Sequence, residues 1–252
     1  MERYMPSLLS RIVGSSSFWS GYFKFYDALA KMHSNTRLRR EVALSLQLKP
    51  GGRYLDFACG TANVACTMLQ LQPGIEIVGM DNNAAGLRIA QKKVPSASFV
   101  QSNMDAHLPF SSEVFNGVAV VNGLYLSKNP QLTLEEIKRI MRPTGLLVVS
   151  NPRAGSNPRN IVKEEISLAS ASFSKEYGTC RAWFELQKYK LELYAGFFKF
   201  APFQLVLMGG SPHFEPTSYW QDLAINKVGF ELVGLRTDLY GGDNDTFVLR
   251  KP

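Results

Sequence analysis

Cysteine is scarce in this chain of 252 residues: Cys59, Cys66 and Cys180 stand alone with no Cys-x-x-Cys pair. That excludes a disulfide framework and a cysteine-based zinc site, and it fits a reducing, cytoplasmic setting. Long apolar runs are also missing. The most apolar stretch, residues 191 to 208, is interrupted by Glu192, Lys199 and Pro202. No segment reaches the ~18 apolar residues that suggest a membrane-spanning helix, although contact with a membrane surface stays open. The opening segment has basic residues, but Arg11 breaks its apolar run, and no export signal is expected from it. Histidine is limited to His33, His107 and His213, which leaves few side chains able to take a proton at neutral pH.

What is present describes an ordinary globular protein, 45% hydrophobic and 19% charged. Its length suits one α/β domain with additions. The net charge of +7 is concentrated at one end, because residues 1 to 53 carry 9 Lys/Arg against 3 Asp/Glu. Arg37, Arg39 and Arg40 form a basic cluster that could face an anionic substrate, acidic lipid headgroups or nucleic acid, or could simply be a solvated helix face.

Periodicity organises the chain. Residues 18 to 48 repeat apolar side chains at helical spacing and predict two helices, ended by Lys49-Pro50-Gly51-Gly52. Strands are expected near 53–58, 75–81, 98–102, 114–121 and 145–151, alternating with helices near 62–71, 84–93 and 130–142. Two more strands, near 230–237 and 244–250, follow. Such alternation implies parallel βαβ units with right-handed crossovers. Residues 153 to 216 hold two further helical patterns, about 158–176 and 180–200. The second is crowded with Trp183, Phe184, Tyr189, Tyr194, Phe197, Phe198 and Phe200. These read as a cap facing substrate, or as core or dimer packing.

The segment from Tyr54 to Asn63 carries the most information. A short apolar run ends in small residues, and Asp81 follows Gly60 by 21 positions. This is about the spacing at which a second parallel strand presents an acid to ribose hydroxyls. The Gly-x-Gly-x-x-Gly turn that seats a pyrophosphate is absent, as is the phosphate-binding loop with its lysine. A nucleoside ligand without phosphate fits what remains.

The same segment, LDFACGTAN at 55 to 63, resembles the first motif of class I S-adenosylmethionine-dependent methyltransferases, an acid followed by a Gly-x-Gly-x-Gly turn. Residues 78–93, 98–129, 134–152 and 219–235 resemble that family's later strands and turns in order. Alanines stand at 58 and 62, and Thr144 replaces a glycine before the fifth strand. If either alanine must adopt positive φ, the strain is about 1 kcal/mol. The resemblance implies a doubly wound, seven-stranded, mostly parallel Rossmann-like sheet whose last strand is antiparallel. It also implies one domain: an N-terminal helical cover at 1–49, a cofactor-binding core at 50–152 and 217–252, and a helical substrate cap at 153–216.

It further implies S-adenosylmethionine as cofactor and assigns roles to particular residues. Ala58 and Gly60 would lie against the amino-acid moiety, with Asp56 near its ammonium. Asp81 would accept from the ribose hydroxyls, Asn82 and Met104 would flank the adenine, and Asp105 would accept from its amino group. Asn122 would face the methyl-transfer point, and Tyr26 would cover the cofactor. Structural alternatives are a turn cap for Asp105, a helix cap for Asp81 and core packing for Tyr26. His213 and Tyr125 are the candidates for acid-base work. The acceptor implied is a small, lipophilic or aromatic molecule, as in the quinone-biosynthesis and natural-product methyltransferases. A cofactor-binding relative that catalyses cyclisation or decarboxylation, or only binds, is a second reading. A nucleic-acid methyltransferase is a third, opposed by the lack of an Asn/Asp-Pro-Pro-aromatic turn after the fourth strand.

Overall fold

The structure is a computed structural model that describes residues 12, 15–209 and 214–252. Two helices come first, α1 (Ser16–Leu29) and α2 (His33–Ser45). The alternating segment follows: β1 (Arg53–Phe57), α3 (Asn63–Leu71), β2 (Glu76–Asp81), α4 (Ala84–Lys93), β3 (Ser98–Gln101) and β4 (Phe115–Val121). Next are α5 (Pro130–Ile140) and β5 (Met141–Pro152), then the long helices α6 (Pro158–Tyr177) and α7 (Thr179–Gly209). The short α8 (Thr217–Gln221) runs into a π-helical turn, Asp222–Lys227, before β6 (Glu231–Leu239) and β7 (Asn244–Arg250).

The seven strands form one sheet in the order β3-β2-β1-β4-β5-β7-β6. Pairs from β3 to β5 are parallel, and β7 runs antiparallel to both neighbours. The expected doubly wound sheet is therefore present, including the reversed last strand. Chain order turns back between β1 and β4, which opens a crevice above the carboxyl ends of those strands.

Apolar strands fix the layers. On one face Leu55, Phe57, Val118, Val120, Leu147 and Val149 pack under α5, Trp220 and Leu223. On the other, Tyr54, Ile77, Ala119 and Val148 pack under Leu38, Val42, Val64 and Met68 of α2 and α3. Two boundaries differ from expectation. α5 stops at Ile140 because Met141 is already extended and pairs with Phe115, so β5 begins earlier than its apolar run suggests. Thr144 then adopts φ 61°, the conformation that a glycine would supply without strain. α7 runs on past Pro202 to Gly209.

The helices α6 and α7 pack against α1 and α2. Leu29, Met32 and Leu193 form a small cluster with Tyr22, Ile161, Tyr189 and Phe197. Two members of the N-terminal basic cluster are paired within the protein: Arg37 with Glu164 and Asp238, and Arg39 with Asn35 and Thr36; Arg40 is exposed.

One carboxylate ties the helices together. Glu165 of α6, with 0% exposure, accepts from the backbone N–H of His33 (2.8 Å) and Ser34 (2.7 Å) at the start of α2. It also accepts from Ser34 Oγ (2.7 Å) and Tyr189 of α7, and lies 3.0 Å from His33 Nδ1. It thereby satisfies donors that the α2 N-terminus leaves open. Burial alone would raise its pKa, but the bonds from Tyr189, Ser34 and His33 outweigh that and hold it below the usual carboxylate range. The stability it confers is therefore present above about pH 4.5 and lost as pH falls further. Glu165→Ala should destabilise the protein by about 3 kcal/mol in urea unfolding at pH 7, with a smaller difference from wild type in acid.

Candidate functional site

β1 ends in a turn whose backbone alternates handedness. Ala58 (φ 57°), Gly60 (φ 52°) and Ala62 (φ 61°) are all left-handed. The two alanines thus occupy the conformation for which glycine is the usual residue. Close packing dictates small residues around the turn. A Cβ on Gly86 would lie 2.9 Å from the Gly60 carbonyl oxygen, and one on Gly123 would lie 2.7 Å from Ala58 Cβ.

Two strand-borne carboxylates brace this turn. Asp56, at the end of β1 and 1% exposed, accepts from the Ala65 N–H (2.9 Å) in the first turn of α3. Burial pushes its carboxyl up to about 7, against the pull of that hydrogen bond. Asp81, at the tip of β2, accepts from the Gly60 N–H with Oδ2 (2.9 Å) and from the Asn83 N–H with Oδ1 (2.9 Å). Burial raises its pKa as well, opposed by these backbone amides. The cap of α4 is Asn83, whose Oδ1 accepts from Ala85 (2.9 Å) and Gly86 (3.2 Å). Asp81 therefore braces the turn and the residue before α4 and is not itself the cap of that helix.

Beyond Asp81 the sheet edge opens into a depression of about 350 Å³ lined by Asn82, Gln101, Ser102 and Asn103. Asn82 is exposed there. Met104 is half-buried against the core, with its carbonyl accepting from Thr133 Oγ1 (3.1 Å). Asp105 joins two loops: its Oδ1 accepts from Ser127 Oγ (2.6 Å) and the Lys128 N–H (2.9 Å). Asp105 is therefore a loop tie at Oδ1.

The strand tips further along the sheet carry polar side chains. Asn122 is left-handed (φ 52°), and its Oδ1 accepts from Asn244 Nδ2 (2.8 Å) of β7. On the opposite face, cross-strand partners Asn151 and Asp245 lie side by side, and Thr217 of α8 donates to Asp245 Oδ2. Asn151 is 0% exposed, yet neither end of its amide is hydrogen-bonded to a described residue, and the same holds for Trp220 Nε1; Asp245 Oδ1 makes no hydrogen bond to a described residue but lies 3.8 Å from the Arg153 guanidinium. Buried polar atoms without partners are rare in native proteins and ask for an explanation.

α1 lies across the turn. Phe23 covers it, so that a Cβ on Gly60 would meet the Phe23 ring at 3.0 Å. One turn on, Tyr26 stacks on Tyr22 with ring centroids 5.3 Å apart, and burial raises the pKa of both phenols. Asp27 fastens the helix: its Oδ1 accepts from Thr61 Oγ1 (2.6 Å), Lys93 Nζ (2.9 Å) and Asn63 Nδ2 (3.1 Å). Tyr125 sits in the 3-10 turn after β4, edge-on to Phe214 at 5.4 Å, with its phenol pushed far up by burial.

The sequence candidates thus divide. Gly60 and Asp81 are joined by a hydrogen bond, Ala58 shares the Gly60 turn, and Asp56 holds the first turn of α3 through Ala65. Asn82 lines the depression beyond Asp81, Met104 and Asp105 follow its lining residue Asn103, and Tyr26 stands on the helix that crosses the turn. Asn122 and Tyr125 stand on the next strand tip. His213 lies outside the described residues. His107 is exposed and paired with Glu136 (3.0 Å), and His33 is committed to Glu165. Sequence reading missed Asn83, Asp27 and the pair Asn151 and Asp245. Only Asn83, placed directly before Ala84, carried a visible N-cap signal.

The cap aromatics also separate. Tyr189 and Phe197 turn inward. Trp183, Phe184, Tyr194 and Phe198 face outward, so they do not line the interior as a substrate-facing set would. The Phe200 side chain lies outside the described residues.

Known proteins resemble this arrangement. The family described as "Methyltransferase domain" matches residues 48–195, more than half of the chain. The demethylmenaquinone methyltransferase of Thermotoga maritima is 33% identical over 129 residues, covering 49% of this chain and 55% of that protein. The trans-aconitate 2-methyltransferase of Azoarcus sp. is 26% identical over 145 residues, covering 57% and 54%. The chain spans about half the length of the curated relatives it matches. Among solved structures, a chain from the complex between the Haloferax volcanii Trm112 methyltransferase activator and the putative methyltransferase superposes with a TM-score of 0.63 at 13% identity, over 93% of this chain and 96% of that one. A SAM dependent methyltransferase from Aquifex aeolicus gives 0.57 at 11% identity, over 89% and 92%. At such identities the likeness is one of fold.

Two outcomes follow from the turn itself. Ala58→Gly should stabilise the protein by about 1 kcal/mol in urea unfolding, since it relieves a left-handed alanine. Asp56 binds its proton more tightly when folded, so its ionisation costs stability as pH rises from about 4 to about 7. Asp56→Asn should gain stability relative to wild type across that window and hold a constant advantage above it. A parallel pair of stability curves would contradict this.

Proposed function

The chain belongs to the methyltransferase-domain family, and from that premise we propose that it transfers a methyl group from S-adenosylmethionine to a small, lipophilic or aromatic acceptor. The observation that carries the reading is the left-handed turn 58–62 held against the tip of β2 by the Gly60-to-Asp81 hydrogen bond. The residues present fit the cofactor's chemistry. Small residues at 58, 60 and 62 keep side-chain bulk out of the turn against which an amino-acid moiety would lie once Phe23 moves aside, and Asp56 lies behind them with a carboxyl that an ammonium nearby would ionise. Asp81 retains lone pairs for two ribose hydroxyls while bracing the turn. Asn82 lines the depression that would receive the adenine, Met104 and Asp105 follow its lining residue Asn103, and Asp105 Oδ2 has no hydrogen bond of its own among the described residues.

S-adenosylmethionine, when bound, supplies a methyl group made electrophilic by its sulfonium. The protein's part is alignment and exclusion of water, worth roughly 7 to 11 kcal/mol when reacting groups are held rigidly. The aromatic underside of α1, with Tyr22, Phe23 and Tyr26, supplies that exclusion, and α6 and α7 back it as a substrate cap. Tyr125 keeps its phenolic proton at neutral pH and so serves the acceptor as a hydrogen-bond donor, not as a base. The likeness to a demethylmenaquinone methyltransferase supports an acceptor of that type, an aromatic ring bearing oxygen substituents and an apolar tail.

The test combines binding and turnover. Labelled methyl from S-adenosylmethionine should appear in a lipophilic product when the protein is incubated with hydroxylated naphthalene or benzoquinol acceptors, and not in RNA. Asp81→Asn should weaken adenosylhomocysteine binding by about 2 kcal/mol, roughly 30-fold, in calorimetry. An unaltered titration in a folded variant would remove Asp81 from the ribose role.

A further inference from the structure

α7 has two faces of different use. Ala182, Tyr189, Leu193 and Phe197 turn toward the rest of the protein. On the opposite side Trp183, Phe184, Leu191, Tyr194 and Phe198 are 58%, 68%, 73%, 53% and 83% exposed. At 3.6 residues per turn, positions 184, 191 and 198 fall on one line, with 183, 187 and 194 one step beside it. The stripe is about 22 Å long at 1.5 Å per residue, and only Gln187 interrupts it. Five such side chains expose on the order of 600 Å² together, a size that marks an interaction site and not scattered surface apolarity.

The margins decide what the stripe meets. The same helical spacing places Arg181, Lys188 and Lys199 along one border and Lys190 along the other. Glu185 and the exposed Glu192 lie just beyond the first border, one on each side of Lys188 in sequence. Lys188, Lys190 and Lys199 make no ion pair with a described residue, while Arg181 lies 4.0 Å from Glu185. A second copy of this chain would set cation against cation, because flanking positions meet across a helix pair in parallel and antiparallel arrangements alike. A convex ridge of Trp, Phe and Leu bordered by Lys and Arg is instead the composition of helices that lie in a lipid interface, with basic side chains reaching to the headgroups. No helix among the described residues is long and apolar enough to cross a membrane.

We propose that the outer face of α7 docks on a lipid bilayer carrying anionic headgroups, with Trp183, Phe184, Leu191 and Phe198 entering the interface. The placement does not depend on which acceptor the protein uses. The full-length protein should co-sediment with phosphatidylglycerol-containing vesicles at least ten times more tightly than with pure phosphatidylcholine vesicles, and the preference should fade as salt rises. The double variant Leu191→Glu/Phe198→Glu should lower vesicle affinity at least tenfold while leaving circular dichroism and thermal midpoint unchanged, since both residues are exposed. Lys188→Glu/Lys199→Glu should abolish the preference for anionic vesicles. A blue shift of tryptophan emission on binding, lost in Trp183→Phe, would place the stripe itself in the interface. The proposal is overturned if the wild-type protein fails to bind anionic vesicles or if the stripe variants bind them as well as wild type. It is equally overturned if sedimentation velocity shows a dimer that Leu191→Glu/Phe198→Glu dissolves, since the face would then belong to a second copy.

Discussion

The hydrogen bond from the Gly60 amide to the Asp81 carboxylate joins the tips of two neighbouring strands, and much of the candidate site is arranged by it. It helps hold a turn that is under strain, since two alanines beside Gly60 adopt left-handed backbone angles. Strain of this kind persists only where the surroundings over-determine the conformation. Here they do so from three directions: Asp56 grips the first turn of α3 from beneath, the N-terminal turn of α4 packs on the Gly60 carbonyl, and Phe23 closes the top. The carboxylate that would meet a ligand is thus the one that shapes the loop around it.

The polar side chains along the strand tips share this double use. Asp105 ties the loop after β3 to the loop after β4, and Asn122 reaches across β5 to β7. Each is held by a hydrogen bond at one atom, Asp105 Oδ1 to a backbone N–H and a hydroxyl and Asn122 Oδ1 to the Asn244 amide. Rotamers held in this way lose little entropy when a ligand arrives, which is the physical basis of preorganisation. Asn151 and Trp220 differ, because their polar atoms have been buried without being used.

Most of the sheet could be read from the sequence, since the strands from β1 to β5 are short apolar runs between turn residues and helical repeats. Asp56, Gly60 and Asp81 were legible for the same reason: position at the end of a strand is set by local pattern. What the sequence hid depends on contacts between distant segments. Nothing near Asp27 announces that it meets Thr61, Asn63 and Lys93, and nothing near Glu165 announces that it caps a helix 131 residues earlier. The aromatic richness of α7 was visible, but aromatic residues surround the helix on all sides, so the count alone could not tell inward Tyr189 from outward Phe198. The early start of β5 was hidden because Arg142-Pro143-Thr144 pairs irregularly, with a shift in register against β4.

Asp27 gathers a hydroxyl, an amide and an ammonium onto a single oxygen, and through them anchors α1 to the turn and to α4. These contacts pin the C-terminal end of α1, so a cofactor held beneath the helix would be released by motion of its aromatic N-terminal part or by loss of all three contacts. Under the proposed reading, the dwell time of spent cofactor would depend on how readily this pinned helix opens as well as on the grip at the ribose, so the pace of repeated cycles would carry a contribution from helix motion.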